Sequence, residues 1–221
     1  MMEAYENFEK RIVALARARN TFKCYKEDKI PDCIHEGLYL GSVGAATNKS
    51  LLKELNITHV LTVAYSVAPP YPEDFTYKVI EVVDKEDTNL EKYFDECIDF
   101  IDEAKRQGGG VLVHCIVGKS RSPTIVAAYL MKRHGMSSAE ALLHVKNKRP
   151  LVNPNSGFVS QLHNLERSLE LQGSCASTNL FRFQGLALNY CLFVNNVYSS
   201  SETATTAAAI VIKGGAEQQS N

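Results

Sequence analysis

Hydrophobic residues between positions 38 and 171 recur in two alternating patterns. Short apolar runs predict strands, and longer stretches with apolar residues three or four positions apart predict helices. The predicted strands are residues 38–40, 59–63, 78–83 and 111–114, and the predicted helices are residues 44–55, 89–107, 120–133, 137–148 and 157–171. Because strands and helices alternate, the pattern predicts an α/β fold with a central, mostly parallel sheet flanked by helices.

Local signals mark the ends of two predicted helices. The sequence from Thr88 to Glu91 has the capping-box pattern that begins a helix, and Ser137 with Glu140 repeats it. Three glycines at 108–110 end the first of these helices. Its apolar residues lie on one face, which must be covered by a sheet. They are Phe94, Cys97, Ile98 and Ile101.

The patterning divides the chain into three parts. Residues 1–29 include a basic segment with apolar positions at helical spacing, and residues 30–172 hold all the predicted strands. Beyond residue 172 the periodicity is lost, and serine, threonine and alanine become frequent. We therefore expect an N-terminal segment, one folded domain over residues 30–172 and a disordered tail over residues 173–221.

Composition sets limits on function. Hydrophobic residues make up 45% of the 221 residues, charged residues make up 22%, and the formal net charge is -1. This balance gives no basis for nucleic-acid binding. No stretch has the roughly 18 uncharged apolar residues of a membrane span, and the N-terminus lacks the apolar region of a signal peptide. We expect a cytoplasmic or nuclear protein.

The six cysteines lie singly along the chain, without a CxxC pair or a spacing to histidine that suits zinc. Disulfides are rare in a reducing compartment. We therefore expect no metal and no cofactor, and we interpret five of the thiols as small buried side chains or idle groups. The sixth, Cys115, has neighbours that suggest chemistry.

Cys115 lies between the predicted strand at 111–114 and the predicted helix at 120–133. The segment reads His114-Cys115-Ile116-Val117-Gly118-Lys119-Ser120-Arg121-Ser122. Five residues separate the cysteine from the arginine, and their backbone N–H groups can all point inward around an anion. The helix behind the loop adds roughly half a positive charge. We expect this phosphate-binding loop, residues 116–121, to hold the substrate.

Three residue types in this loop suit phosphate chemistry. Gly118 permits a turn conformation that a Cβ atom would obstruct. The guanidinium of Arg121 can hold two phosphate oxygens at once. The positive field of the loop would lower the pKa of the Cys115 thiol and make it a nucleophile. A buried cysteine with a chance arginine is the simpler interpretation, but the matching residues at fixed offsets favour the phosphate site.

The segment HCIVGKSRS resembles the HCxxGxxRS signature of protein tyrosine phosphatases, and its Ser-Arg-Ser ending resembles the dual-specificity branch. Other segments resemble the same branch in the same order: residues 38–42, 59–63, 83–90, 93–94 and 154–158. The resemblance spans residues 30–172 and is closest to small plant dual-specificity phosphatases that act on mitogen-activated protein (MAP) kinases. It implies hydrolysis of phosphotyrosine and of phosphoserine or phosphothreonine in proteins.

The resemblance also implies a role for each of five side chains. Cys115 would form a phosphocysteine intermediate, Arg121 would clamp the transferring group, and Ser122 would help the thiolate to leave. His114 would hold the loop and the thiolate through hydrogen bonds. Asp84, which follows a predicted strand, would protonate the leaving oxygen as general acid.

Several alternatives remain open at the level of sequence. Glu86 and Asp87 lie beside Asp84 and could take its place or be solvated loop charges. Val117 occupies a loop position where the family often carries a smaller residue, so substrate preference is open. A module that binds phosphoproteins without turnover is disfavoured because cysteine, arginine and acid are all present. A phosphoinositide phosphatase is disfavoured because Lys119 is the only lysine inside the loop.

Residues 8–26 form the basic amphipathic part of the N-terminal segment. Phe8, Leu15 and Phe22 lie seven positions apart, among six basic residues between positions 10 and 26. A basic helix with bulky anchors is typical of a calmodulin target or of a helix on a membrane surface. A helix packed on the folded domain is the equal alternative.

Recognition of a kinase is expected to use surface patches, because no kinase-docking domain precedes the predicted folded domain in this sequence. The candidate basic patches are Lys132 with Arg133, and residues 146–149. A patch of this kind is more often simply a solvated face.

Overall fold

The computed structural model describes residues 26–171 without a gap and, in the N-terminal helix, residues 5, 8, 11, 12, 15, 18, 19, 22 and 23. The described residues up to Leu169 belong to one compact unit. The predicted tail at 173–221 and the thiols of Cys24, Cys175 and Cys191 lie outside the described residues. The domain limits at residues 29 and 172 stay predictions.

The central sheet consists of five strands. They are β1 (Asp32–His35), β2 (Leu38–Gly41), β3 (Ile57–Val63), β4 (Thr76–Ile80) and β5 (Gly110–His114). Their order across the sheet is β1-β2-β5-β3-β4. Strands β1 and β2 pair antiparallel, whereas the other three neighbouring pairs are parallel. The prediction of an α/β fold with a mostly parallel sheet is confirmed.

Helices flank this sheet. They are α1 (Val43–Ala46), α2 (Lys49–Glu54), α3 (Phe94–Arg106), α4 (Arg121–His134), α5 (Ser138–Lys148) and α6 (residues 156–171). A short 3₁₀ turn, Glu91–Tyr93, precedes α3. The capping box predicted at Ser137 is present at the start of α5, and Gly135 ends α4 with a φ of 66°. A glycine tolerates this left-handed conformation without strain.

Apolar side chains cover both faces of the sheet, and β5 is buried along its whole length. Val111 and Val113 of β5 contribute to the larger core, which also contains apolar residues of α3, α4, α5 and α6. Leu112 contributes to a smaller core with Val60 and Phe75. This alternation follows from the two-residue period of a strand, and β5 is the central strand of the sheet.

The structure corrects the capping box predicted at Thr88. The Thr88 hydroxyl makes no capping hydrogen bond among the described residues, and the local acceptor is Asn89 Oδ1, which accepts from the Lys92 N–H at 3.2 Å. The N–H groups of Leu90 and Glu91 instead donate to Oε1 of Gln161, at 2.7 and 2.8 Å. A side chain from a distant helix therefore satisfies the groups that a local cap would have satisfied.

Three further boundaries differ from the prediction. The helix predicted at 44–55 is two helices, because Asn48 caps the second of them by accepting from the Leu51 N–H. The strand predicted at 78–83 ends at Ile80, beyond which the chain turns toward Asp84. Strand β1 was not predicted, since its four residues lack an alternating apolar pattern.

Candidate active site

The candidate phosphate site lies at the carboxyl end of β5. Cys115 directly follows this strand and Arg121 is the first residue of α4. Both neighbours of β5 in the sheet, β2 and β3, run parallel to it. Their carboxyl ends therefore meet around the same loop, which is where ligands bind in open α/β sheets.

The carbonyl groups of the phosphate-binding loop are bonded outward to its surroundings. The Ile116 carbonyl accepts from the Val43 N–H at 3.1 Å, and the Lys119 carbonyl accepts from the Asn153 N–H at 2.8 Å. Arg149 donates to the two carbonyls between them, from Nη2 to Val117 at 3.0 Å and from Nε to Gly118 at 3.1 Å. A trans peptide group points its N–H away from its C=O, so the intervening N–H groups turn inward. The loop has the arrangement of backbone donors that binds an anion.

Gly118 makes this loop sterically possible. Its φ is 70°, and a Cβ atom at this position would lie 2.5 Å from the carbonyl oxygen of Gly41 and 2.9 Å from Nη2 of Arg149. Any side chain would both strain the backbone and push the loop away from β2. Its N–H donates to the sulfur of Cys115 at 3.2 Å.

The Cys115 thiol is buried, with 1% exposure. Burial by itself raises its pKa, but the positive charge of Arg121 and contacts from Ser122 and the Gly118 N–H lower the pKa further than burial raises it. The Ser122 hydroxyl is buried and has no hydrogen bond of full geometry among the described residues. It therefore acts on the sulfur as a nearby dipole. The net result is a thiol whose pKa lies below its ordinary value.

One side of the Arg121 guanidinium is held by the protein, and N–H groups remain that can donate to an anion in the phosphate-binding loop. Nη1 donates to the carbonyl of Val82 at 3.2 Å, and Nε lies 3.5 Å from Oδ2 of Asp84. Nε is buried without a hydrogen-bond partner among the described residues. A buried donor of this kind suits a phosphate oxygen.

Asp84 is brought to the loop by two hydrogen bonds. Its Oδ1 accepts from Ser120 Oγ at 2.8 Å and from Asn155 Nδ2 at 2.9 Å. Ser120 occupies the N-cap position of α4 but does not cap it, since its hydroxyl is used here. In the described part of the chain, the side chains of Glu86 and Asp87 make no such contact and are exposed. The structure thus brings Asp84 to the site and leaves its two neighbours outside.

His114 supports the loop from behind. Its Nδ1 lies 3.2 Å from the carbonyl oxygen of Cys115, and its Nε2 lies 2.8 Å from Oγ1 of Thr62. A carbonyl only accepts, so Nδ1 carries the proton and Nε2 accepts from the threonine hydroxyl. Burial lowers the pKa of His114 to about 4, which keeps the ring neutral at pH 7.

Sequence reasoning missed Arg149, which was placed in a surface patch. The structure corrects this: Arg149 is 3% exposed and binds the back of the loop. Its guanidinium pairs with Asp28 and, at 2.7 Å, with Asp32. Burial lowers its pKa, but the two carboxylates raise it further and keep the group charged. No local pattern marks such a residue, because its partners lie far away in sequence.

The other predicted basic patch is neutralised by acidic residues of α3. Lys132 pairs with Asp95, and Arg133 pairs with Asp102 at 2.7 Å and with Asp99 at 3.7 Å. This surface is therefore a mixed-charge face.

Among the described residues, no group of three or more His, Cys, Asp or Glu side chains could hold a metal ion. Within the same part of the chain, no helix combines the length and apolar character needed to cross a membrane.

Comparison with known proteins identifies this class of fold and site. The family "Dual specificity phosphatase, catalytic domain" matches residues 38–168, more than half of the chain. The chain belongs to this family and is a dual-specificity protein phosphatase. The Arabidopsis thaliana protein "Dual specificity protein phosphatase 1" is 62% identical over 166 residues, which cover 75% of this chain and 84% of that protein.

Two further similarities extend the comparison. The Dictyostelium discoideum "MAP kinase phosphatase with leucine-rich repeats protein 1" is 44% identical over 140 residues, covering 63% of this chain and 16% of that protein. Among solved structures, the human "tyrosine phosphatase-like serine/threonine/tyrosine-interacting protein" is 32% identical with a TM-score of 0.62. It covers 64% of this chain and 98% of that one.

Proposed function

We propose that this protein hydrolyses phosphotyrosine, phosphoserine and phosphothreonine in proteins through a phosphocysteine intermediate on Cys115. One observation carries the proposal: a thiol of lowered pKa, a buried arginine and a carboxyl group converge on one anion-binding loop. The inward N–H groups of the loop and Arg121 would hold the phosphate oxygens. Substrate contacts would thus involve residues 116–121.

In the first step the Cys115 thiolate attacks phosphorus. A sulfur–phosphorus bond forms as the bond to the leaving oxygen breaks, and Asp84 gives its proton to that oxygen. The Arg121 guanidinium and the loop N–H groups stabilise the charge on the three remaining oxygens. His114, bonded to the carbonyl of Cys115, keeps the peptide groups of the loop in place.

In the second step water attacks phosphorus and gives its proton to the Asp84 carboxylate. The sulfur–phosphorus bond breaks, inorganic phosphate leaves, and the thiolate is restored beside the Ser122 hydroxyl. Because the acid of the first step is the base of the second, Asp84 is regenerated. Reduced thiols are needed throughout, which fits a cytoplasmic or nuclear location.

MAP kinases are the substrates we favour within the phosphoproteins. The support is the name of the Dictyostelium relative, which is similar over 63% of this chain. The test is substrate trapping with Cys115→Ser, because an alcohol is not ionised by this loop at neutral pH and the phosphorylated partner stays bound. We expect a doubly phosphorylated MAP kinase to be retained, and wild-type enzyme to remove phosphate from both its threonine and its tyrosine.

Three outcomes would contradict this proposal. Unchanged turnover by Cys115→Ser would exclude the phosphocysteine mechanism. Binding of phosphoprotein by a wild-type enzyme that releases no phosphate would instead indicate a binding module, and faster release from phosphoinositide than from phosphopeptide would indicate a lipid substrate. Arg121→Met should weaken both binding and turnover and serves as the matched loop variant.

The N-terminal helix supports a second proposal, calmodulin binding over residues 8–26. The described residues from Tyr5 to Glu27 are helical and exposed. The described large apolar side chains of the helix are 50% to 67% exposed and lie three, four or seven positions apart; they are Tyr5, Phe8, Ile12, Leu15 and Phe22. Described basic residues accompany them, namely Arg11, Arg19, Lys23 and Lys26. An apolar stripe with basic neighbours fits the groove and acidic surface of calmodulin.

The calmodulin proposal is tested with the full chain on immobilised calmodulin. Phe8→Ala with Phe22→Ala should abolish calcium-dependent retention because both anchors are lost. Leu143→Ala is the matched control, since Leu143 is 60% exposed and belongs to α5 rather than to this helix. Equal retention of both variants would contradict the proposal, and binding to anionic vesicles alone would favour a membrane-surface helix.

A further inference from the structure

The segment that carries Asp84 is attached to the beginning of α6 along its whole length. We define residues 84–91, between β4 and α3, as the acid loop. Three residues at the start of α6 contact three successive parts of it: Asn155 contacts Asp84, Gly157 contacts the backbone of Glu86, and Gln161 bonds to the backbone from Thr88 to Glu91. None of these three has a role in the proposed mechanism so far.

Asn155 closes a triangle of hydrogen bonds around Asp84. Its N–H donates to Ser120 Oγ at 3.2 Å, the serine hydroxyl donates to Asp84 Oδ1, and Asn155 Nδ2 donates to the same oxygen. Oδ1 therefore receives both donors. Oδ2 faces Arg121 Nε at 3.5 Å and accepts no other hydrogen bond from the described residues, so the proton that Asp84 would transfer belongs on Oδ2.

Gly157 allows α6 to touch the backbone of the acid loop. A Cβ atom at position 157 would lie 1.9 Å from the carbonyl oxygen of Glu86 and 2.6 Å from its carbonyl carbon. Both are backbone atoms, so no rotation of a side chain could relieve the clash. A glycine is needed here for the close approach.

Gln161 satisfies three backbone groups with one side chain. Its Nε2 donates to the carbonyl of Thr88 at 2.8 Å, and its Oε1 accepts from the N–H groups of Leu90 and Glu91. Loss of this side chain would leave three partly buried polar groups without a partner. The far end of the acid loop would then be free to move.

We infer that Asn155, Gly157 and Gln161 are positioning residues for the general acid. They hold the acid loop with Asp84 Oδ2 at the phosphate-binding loop before any substrate binds. The inference rests on the proposed role of Asp84. It implies that these residues affect the protonation of the leaving oxygen and leave phosphate binding unchanged.

The test compares two substrates of different leaving-group basicity. With Gln161→Met, kcat for a phosphothreonine peptide should fall about 10- to 100-fold, a part of the 10²- to 10⁴-fold that a general acid contributes. Hydrolysis of an activated aryl phosphate, which leaves more readily unprotonated, should change by less than about threefold. KM for the peptide and inhibition by tungstate should stay unchanged. Gln161→Glu keeps an oxygen that accepts from the N–H groups of Leu90 and Glu91, so it should recover most of the activity that Gln161→Met loses.

Two further variants guard against simple unfolding. Asn155→Asp keeps the oxygen that accepts from the Phe158 N–H at 3.0 Å but loses the amide donor to Asp84, so it should show the same selective loss. Gln107→Met is the matched control and should behave as wild type, because the Gln107 side chain, at the end of α3, bonds among the described residues only to Glu103.

A double variant distinguishes positioning from general damage. If Gln161 acts through Asp84, then Asp84→Asn with Gln161→Met should be no slower on the peptide than Asp84→Asn alone. A further loss in the double variant, or equal losses on both substrates, would overturn this inference and leave the proposed function intact. Absence of any leaving-group effect in Asp84→Asn itself would overturn both.

Discussion

At the scale of single residues, surroundings decide what a buried cysteine can do. Cys97 and Cys115 are both nearly inaccessible, and Cys97 lies within the larger apolar core. Burial, with a smaller contribution from Glu96, raises the pKa of Cys97 to about 12. The charge of Arg121 gives Cys115 the opposite shift. We therefore expect the Cys97 thiol to be inert and the Cys115 thiol to be the nucleophile.

This contrast predicts selective alkylation of Cys115. At pH 6.5 iodoacetamide should label Cys115 while Cys97 stays unlabelled, and tungstate should protect Cys115 by filling the loop. Arg121→Met removes the charge that lowers the thiol pKa, so the pH profile of labelling should move to higher pH. Peptide-level mass spectrometry measures both. A profile unchanged by Arg121→Met would show that the arginine does not control the thiol.

His114 predicts a pH-dependent part of folding stability. An unfolded histidine titrates near 6.5, whereas the folded pKa is about 4. Between these values the unfolded chain binds a proton that the folded chain does not, so stability falls as pH falls. The loss is about 1.4 kcal/mol per pH unit and about 3 kcal/mol in all, and it stops near pH 4.

Denaturant unfolding from pH 7 to 4 measures this contribution in wild type and in His114→Asn. The variant keeps a donor for the Cys115 carbonyl and loses the titrating ring, so its stability should vary less with pH. His59 and His134, whose pKa values burial also lowers, contribute equally to both proteins. Parallel curves would contradict the assignment to His114.

At the scale of elements, the sequence predicted what local pattern determines and missed what distant contacts determine. Strand β5 and the capping box at Ser137 follow from neighbouring residues, and both are present. The cap at Thr88 was wrong because Gln161, far along the chain, supplies the acceptor. The buried position of Arg149 likewise depends on partners that no spacing in the sequence reveals.

Arg149 gives the prediction at this scale, because it joins the phosphate-binding loop to Asp28 and Asp32. Arg149→Met would leave two loop carbonyls and two carboxylates unpaired, which should lower the free energy of unfolding by about 3–5 kcal/mol. Turnover should fall similarly for peptide and aryl phosphate, since the loop and not the acid is disturbed. Adding Asp28→Asn and Asp32→Asn should recover part of the stability. Loss confined to the peptide would contradict this role.

At the scale of the whole molecule, the catalytic unit and the N-terminal helix meet at Asp28. The described large apolar side chains of the helix are exposed, so the folded domain does not depend on burying them. Asp28, one residue beyond the last helical position, pairs with Arg149 and accepts from Ser42 Oγ at 3.0 Å through its carbonyl. The exposed helix therefore ends within two residues of the point at which the chain begins to support the folded domain.

Two deletions that differ by two residues test this boundary. Removing residues 1–26 should leave the melting temperature and aryl phosphate hydrolysis nearly unchanged, because no described apolar side chain of the helix is buried. Removing residues 1–28 also removes Asp28 and should lower the free energy of unfolding by about 2 kcal/mol, the cost of a buried group that loses a charged partner. Turnover should fall with it, since Arg149 then has one carboxylate fewer to hold it against the loop.

Thermal unfolding and kcat/KM for an aryl phosphate measure both effects. A large loss already in the shorter deletion would mean that the helix packs on the domain, and equal behaviour of the two would show that Asp32 alone is enough to hold Arg149.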